Sequence, residues 1–319
     1  MTNNRDTSAL MYSFLSTDNL SLTHTEADDL TTPHWRLLTH SKVTTAELQG
    51  LLEQGLSGSW MLSELTPCGD CCGWRLVAVD QHCQLDRTVF TQSTLAVELL
   101  AWNGSFPSLS KPGLLLMDMD STAITIECID ELAALAGVGA SVAEVTASAM
   151  RGELDFEQSL RARVAKLANS DAGFIAQLCQ QLPLMPGIEA MVARLQLHGW
   201  KLAVVSGGFM PFVEQLMQQV GLDDAMANQL DIADGKIIGT VSGTIVDSEY
   251  KAQRLAFLAN EWGIPASQTV AIGDGANDIN MINYAALGIA YHAKPALKNA
   301  ANACVDKLGL DSLALILEP

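Results

Sequence analysis

The stretch Leu114-Leu-Leu-Met-Asp118-Met-Asp120-Ser121-Thr122 sets the fold. Four apolar residues, the length of a short buried strand, run straight into two carboxylates one residue apart. Side chains two apart in an extended chain leave the same face, so Asp118 and Asp120 project together from the strand's carboxyl end. That end is where open α/β sheets bind ligands. One carboxylate can attack or ligate while the other exchanges a proton. A lone Asp-x-Asp also serves simply to cap a following helix, so the pair gains meaning from its surroundings.

Downstream, Leu202–Val205, Thr269–Ile272 and Leu287–Ala290 repeat the pattern of an apolar run followed by a helical stretch. Such alternation is the signature of a parallel sheet in a doubly wound α/β fold. Between the first two strands, Ile124–Leu184 is mostly helical and far longer than one crossover helix requires. It predicts a helical cap subdomain at about 124–184. Asp234-Gly235, between Leu230–Ile232 and Lys236–Val241, is a hairpin signal.

Upstream, the Gly, Pro and Ser content of Asn103-Gly-Ser-Phe-Pro-Ser-Leu-Ser-Lys-Pro-Gly113 marks a linker. It divides residues 1–104, a small α+β unit of unassigned role for which regulation is the candidate, from a main unit at 111–319. In the first unit, Thr44 and Glu47 form a capping box opening a helix over Glu47–Leu56. Trp74–Val79 reads as a strand and Ser93–Trp102 as a helix. The polar residues up to Pro33 are expected to be loosely held.

The chain of 319 residues is 49% hydrophobic and 17% charged, the balance of a folded, two-domain protein. It has no apolar run of membrane-span length, and its start, MTNNRDTSAL, has no signal-peptide pattern. Seven scattered cysteines read as reduced thiols and, with the missing signal, predict a cytoplasmic location. Cys68, Cys71, Cys72 and Cys83 have zinc-like spacing but no second matching pair, so free thiols are the expectation. A formal charge of −18 excludes nucleic acid and anionic membrane as partners. It also makes the basic residues near the chemistry informative.

A second apolar strand, Thr269-Val-Ala-Ile-Gly273, ends in Asp274-Gly-Ala-Asn277-Asp278, and a helix opening there would put 274, 277 and 278 on one face. Carboxylates gathered at one sheet edge call for a hard cation, and Mg²⁺ suits all-oxygen ligands facing a phosphate. A phosphate dianion ~3.5 Å from a carboxylate is repelled by roughly 10 kcal/mol at an effective dielectric of ~20, so positive charge is indispensable. A third strand, Lys201–Val205, runs into Ser206-Gly207-Gly208, where bare backbone N–H groups and a hydroxyl can meet an anion. Lys251, ahead of a helical pattern over Ala252–Trp262, is a cation at the helix end that disfavours one unless an anion is bound nearby. In the cap, Asp155 and Gln158 form a capping box that starts a helix near Phe156. Phe156, Leu160, Arg163 and Leu167 then share a stripe, so an arginine interrupts an apolar face.

In this order, Asp118-x-Asp120-Ser-Thr, Ser206-Gly-Gly, Lys251 and Gly273-Asp274-Gly-x-Asn277-Asp278 resemble the haloacid dehalogenase-like hydrolases. Within that family, Glu127-Cys-Ile-Asp-Glu131 and Asp155-Phe156-Glu-Gln-Ser-Leu-Arg161-Ala-Arg163 are most similar to members acting on phosphoserine. The resemblance runs from about Lys111 to the C-terminus and leaves the first hundred or so residues uncovered. It implies a Rossmann-like core with a helical cap and a phosphatase using an aspartyl-phosphate intermediate. Asp118 would be the nucleophile and Asp120 the acid/base. Asp118, the Asp120 carbonyl and Asp274 would hold Mg²⁺, with Thr122 and Asp278 in support. Ser206, Gly207 and Lys251 would hold the phosphoryl oxygens, beside Asn277. Glu127 would face the ammonium and Arg163 the carboxylate of O-phosphoserine, beside Phe156. Serine biosynthesis is implied by the resemblance alone, and a homodimer is the assembly carried with it. The rivals are a phosphatase for another small phosphate, a phospho-accepting signalling protein, and a sensor whose N-terminal unit matters most.

Overall fold

The computed structural model describes residues 16–17, 20–24, 34–102 and 106–318. Most of the polar stretch up to Pro33, and Asn103-Gly104-Ser105 of the linker, lie outside the described residues.

The N-terminal sheet comprises β1 (Ser16–Thr17), β2 (Leu20–His24), β3 (His34–His40), β4 (Leu56–Glu64), β5 (Cys71–Ala78), β6 (Gln84–Leu85) and β7 (Val97–Trp102). Their order is β1-β2-β4-β5-β3-β7, with β6 on β4. Helices α1 (Thr45–Gly55) and α2 (Arg87–Gln92) cover one face. That face buries Leu37, Leu52, Trp60, Leu62, Leu76 and Phe90. The Thr44 capping box forms as expected.

The segment Ser93–Trp102 is not a helix. Its second half is β7, paired antiparallel with β3 from Thr39↔Val97 to His34↔Trp102. Short apolar runs satisfy both periodicities. Here the ladder offered by β3 decides, placing Val97 and Leu99 in the core.

The main sheet is β8 (Leu114–Met117), β9 (Lys201–Phe209), β10 (Asp224–Ala233), β11 (Lys236–Ser242), β12 (Thr269–Gly273), β13 (Leu287–Tyr291) and β14 (Ala303–Val305). Its order is β11-β10-β9-β8-β12-β13-β14. All neighbours are parallel except the hairpin pair β10 and β11. The chain therefore winds outward from β8 through β9 to β10, then returns to its other side at β12. This doubly wound arrangement makes the carboxyl end of β8 the switch point where ligands bind. All four residues of β8 are buried on both faces, as a central parallel strand requires.

The cap is α3 (Cys128–Leu135), α4 (Gly139–Met150), α5 (Phe156–Lys166) and α6 (Gly173–Cys179). Its two ends meet in a bridge between Ile124 and Leu184. The Thr125 N–H donates to Pro183 O at 3.0 Å and the Met185 N–H to Ala123 O at 2.9 Å. The hairpin β10–β11 props the cap's far side: the Asn169 N–H donates to Ile237 O at 2.8 Å and the Ala172 N–H to Gly235 O at 3.0 Å.

The remaining helices are α7 (Ile188–Leu197), α8 (Met210–Val220), α9 (Ser248–Glu261), α10 (Ile279–Tyr284), α11 (Pro295–Ala300) and α12 (Ser312–Leu317). Helix α12 packs under the N-terminal sheet. Leu38, Leu65, Cys68 and Cys71 share a hydrophobic cluster with Leu313–Leu317. Arg36 is fully buried there and donates to Glu318 O. Burial, with Arg75 beside it, pushes its guanidinium down to about 9.

All seven cysteines are free thiols. Cys68 and Cys71 are buried at this junction, where the Cys71 thiol donates to Asp311 Oδ1 at 3.2 Å. Cys83 turns elsewhere, donating to Ser59 O at 2.7 Å. Among the described residues, these four cysteines do not gather their sulfurs into one group.

Candidate active site

At the end of β8 the chain stays in the sheet for one more residue, with the Asp118 N–H donating to Ile272 O at 3.0 Å. It then turns sharply through Ser121, whose φ of 56° is left-handed for a residue carrying a side chain. Such backbone strain gathers at functional sites. The Ser121 hydroxyl donates to Glu127 Oε1 at 2.8 Å. Glu127 sits at the N-cap of α3 but makes no capping bond, so its carboxylate is left to the cavity.

That cavity, about 210 Å³, lies between core and cap. Asp118, Asp120, Ser206, Gly207, Asp274 and Asn277 line it from the core, and Glu127, Phe156 and Arg163 from the cap side. Nine of the twelve residues expected from sequence converge there. Lys251 and Asp278 lie directly behind Asp118. The Lys251 Nζ is 2.8 Å from Asp118 Oδ2 and 2.7 Å from Asp278 Oδ1, with both side chains of that second pair fully buried. Thr122 is buried with no partner for its hydroxyl and lies outside the cavity wall.

Two local expectations need correction. Helix α9 begins at Ser248, capped by Asp247, whose side chain accepts the Tyr250 N–H. Lys251 is thus inside its first turn and not ahead of it; the capping aspartate outranks the apolar pattern as a start signal. Residues 274–278 do not open an α-helix either. They form a loop and a short 3₁₀ turn over Ala276–Asp278 before α10. Asp278 organises that loop by accepting the N–H groups of Asp274 at 3.1 Å and Gly275 at 3.0 Å.

The site is short of positive charge. Burial, then Glu127 and Asp118, push the Asp120 carboxyl up to about 8. Burial and Asp118 push Asp274 up to about 6. Burial would lower the Lys251 ammonium, but Asp118 and Asp278 raise it instead and keep it charged. Burial and Asp118 raise Asp278, while Lys251 and the Gly275 N–H pull it back.

Among the described residues, Asp118, Asp274 and Asp278 form the group that could hold a metal, with ligand oxygens within 4.8 Å of one another. Of the three, Asp118 and Asp274 face the cavity, whereas Asp278 is fully buried behind them on Lys251 and two backbone donors. An all-oxygen donor set with excess negative charge fits a hard divalent cation.

Ser206 and Gly207 lie within β9, which continues to Phe209 where the sequence pattern ended the strand at Val205, and they are supported from below by a residue not anticipated from sequence. The fully buried Asn228 donates to Gly207 O at 2.9 Å and accepts the Val246 N–H at 2.8 Å. No sequence signal marks it. A Cβ on Gly207 would lie 2.9 Å from Phe156 Cζ, so the missing side chain lets the cap descend onto the core. A Cβ on Gly208 would lie 3.2 Å from Asp120 Oδ2. Arg163 brings its guanidinium into the cavity with a buried Nε that has no partner. Burial lowers its pKa, against the pull of Asp130, Glu127 and Asp120. Lys294, also unanticipated, lines the mouth. Its position just past the carboxyl end of β13 was the available signal, since loops at that sheet edge carry ligand contacts.

A doubly wound sheet with an aspartate pair at its switch point, a buried lysine behind them and a lid of helices defines a hydrolase. The chain belongs to the haloacid dehalogenase-like hydrolase family, whose model matches residues 113–286. It is 52% identical over 211 residues to the phosphoserine phosphatase of Haemophilus influenzae, a match covering 66% of this chain and 67% of that one. Its fold is similar to the unliganded crystal structure of a probable phosphoserine phosphatase from Vibrio cholerae. That likeness has a TM-score of 0.75 at 37% identity and covers 92% of this chain and 89% of the other. A substrate-bound phosphoserine phosphatase complex is similar over 65% of this chain and 99% of its own, with a TM-score of 0.62 and 40% identity.

Proposed function

We propose that the protein hydrolyses O-phospho-L-serine to serine and phosphate, the last step of serine biosynthesis, with residues 111–319 as the catalytic unit. The observation that carries the substrate is the Arg163 guanidinium, whose buried Nε has no partner, set in the same cavity as the Glu127 carboxylate and the Asp118/Asp120 pair. A guanidinium fork matches a carboxylate, and Glu127 supplies the opposite charge for an ammonium. One amino acid bearing a phosphate satisfies all three. The relatives named phosphoserine phosphatase support the same substrate.

Asp118 attacks phosphorus, the bond from phosphorus to the serine oxygen breaks, and Asp120 delivers its proton to that oxygen. A carboxyl held up to about 8 carries this proton at neutral pH. Asp120, now a carboxylate, takes a proton from water as the water attacks the aspartyl phosphate, restoring Asp118. Lys251, fully buried behind Asp118 and outside the cavity wall, braces the nucleophile and offsets its charge through the 2.8 Å pair to Oδ2. Ser206 Oγ accepts the Gly208 N–H at 2.9 Å, so its own proton is free for the phosphate. Asn277 holds Asp118 through a 3.4 Å contact to Oδ2.

Asp118, Asp274 and the Asp120 main-chain carbonyl would hold Mg²⁺, which supplies Lewis-acid polarisation of the phosphoryl group and offsets its charge. The cap excludes water, which strengthens each of these interactions. Storing a phosphoryl group, as a signalling receiver does, would have no use for Asp120. Seven unpaired thiols support a reducing, cytoplasmic setting.

The test is phosphate release from L-phosphoserine beside p-nitrophenyl phosphate and phosphothreonine, with Mg²⁺ and with chelator. A Mg²⁺-dependent preference for phosphoserine is expected. Equal rates on all three would remove the substrate assignment, and turnover in chelator would remove the metal.

A further inference from the structure

Lys294 carries a charge that neither the fold nor the chemistry above uses. It follows β13 and occupies the N-cap of α11. There its side chain makes no capping bond, and a cation opposes the helix dipole. Its backbone N–H donates to Asp274 O at 3.0 Å, which ties it to the loop bearing the metal carboxylate. Its Nζ stands 3.8 Å from Asp274 Oδ2, an ion pair too long for a hydrogen bond, with the lysine side chain 69% exposed and the aspartate 13%. A loose, solvated pair of this kind contributes little to stability. The residue is badly placed for a structural purpose and well placed for an electrostatic one.

Four carboxylates line the cavity: Asp118, Asp120, Glu127 and Asp274. Of the lining cations, Arg163 sits under the cap beside Phe156 and Leu160, while Lys294 stands on the core side, facing solvent. Lys251 is sealed behind Asp118. A phosphate approaching a chain of formal charge −18 therefore meets Lys294 at the mouth.

We propose that Lys294 is a phosphate-capturing cation that Asp274 holds while the metal is absent and releases when the metal binds. The inference rests on the phosphatase reading above. Asp274 cannot serve the ammonium and a divalent ion alike. A metal on Asp274 repels Lys294, whose flexible stem then carries it to an incoming phosphate dianion. Linkage fixes the signs: Lys294 opposes metal binding in the empty site and favours phosphate in the loaded one.

The experiment compares the full chain with its Lys294→Gln and Lys294→Arg variants. Mn²⁺ binding to chelator-stripped protein, followed by water proton relaxation, should tighten roughly threefold or more in K294Q as the competing charge is lost. With metal saturating, K294Q should lose about tenfold in kcat/KM at low ionic strength, through KM, and show a flatter salt dependence. Inhibition by inorganic phosphate should weaken by a similar factor, and K294R should resemble the wild type in every measurement. Unchanged or weaker Mn²⁺ binding in K294Q would overturn the proposal, as would a wild-type salt dependence. The Mn²⁺ and phosphate titrations do not depend on the substrate. If the wild type fails to prefer phosphoserine, the substrate reading falls while the Lys294 comparison, run on p-nitrophenyl phosphate, still decides.

Discussion

Stripped of metal, the protein should lose stability as pH rises from about 5 to about 8, the opposite of what salt-bridged carboxylates produce. Asp274 titrates at about 6 in the fold against 3.8 for its ordinary value, and Asp120 at about 8 against the same 3.8. Between each pair of values the folded chain binds a proton that the unfolded chain has released. Stability is therefore greatest below 3.8 for these groups and falls as pH climbs to each folded value. The slope is about 1.4 kcal/mol per pH unit and per group. From about pH 5, Asp274 contributes a loss of roughly 1.4 kcal/mol that is complete near pH 6. Asp120 continues to about pH 8 and could add ~4 kcal/mol, discounted because the cavity leaves it some solvent. A combined loss of about 3–5 kcal/mol is a large fraction of a typical domain's stability. Urea unfolding followed by circular dichroism, in chelator at about one-unit pH steps, measures it directly. Saturating Mg²⁺ should flatten the curve by occupying the charge-deficient site. A chelated protein whose stability stays level or rises over this range would refute the reasoning, because the carboxylates would then be compensated by groups already present.

Three substitutions probe separate parts of the site. Asp118→Asn should remove turnover by a factor of about 10³ or more while leaving a folded protein, since Lys251 keeps Asp278 as its partner; residual activity near the wild-type level in a folded variant would eliminate Asp118 as nucleophile. Arg163→Ala should raise KM for phosphoserine by about 10–100-fold, the worth of a charge-assisted bond in a dry pocket, and change p-nitrophenyl phosphate little; equal effects on both substrates would strip Arg163 of its carboxylate role. Gly207→Ala places a methyl 2.9 Å from Phe156 Cζ, so the ring or the cap carrying it must move by roughly 0.6 Å or more to reach carbon contact distance, and kcat/KM should fall about tenfold with stability nearly unchanged; wild-type kinetics would show that the cap need not touch Gly207.

The parts of the fold that the sequence made legible are those governed by local chemistry. Thr44 and Asp155 announce their helices because a capping box is satisfied within four residues. The strand at Leu114–Met117 is unambiguous because a central parallel strand is apolar on both faces. The helical content of the cap was readable too, and a bridge between Ile124 and Leu184 joins the two ends of that segment. What could not be read depends on partners far along the chain. Whether Ala96–Trp102 coils or extends is settled by β3, some sixty residues earlier. Asn228 matters because Gly207 and Val246 happen to flank it in space. Lys294 could be placed just past a strand from sequence, but its approach to Asp274 depends on the pairing of β13 with β12. The docking of α12 beneath the N-terminal sheet likewise has no local signature.

The site's own departures from good folding practice point to its purpose. Four carboxylates share one cavity, Ser121 adopts a left-handed backbone, and the Arg163 Nε is buried without a partner. Each is a local cost that a chain selected for stability alone would shed. Two of them are linked: Ser121 turns the chain so that its hydroxyl holds Glu127, and Glu127 adds to the burial that raises Asp120 into the range of a neutral-pH acid. The same crowding that weakens the empty protein is what makes the site attractive to a cation and to an arginine-matched carboxylate. Filling the site should therefore stabilise the protein while it assembles the chemistry, so metal-dependent stability and metal-dependent turnover should rise along one binding curve.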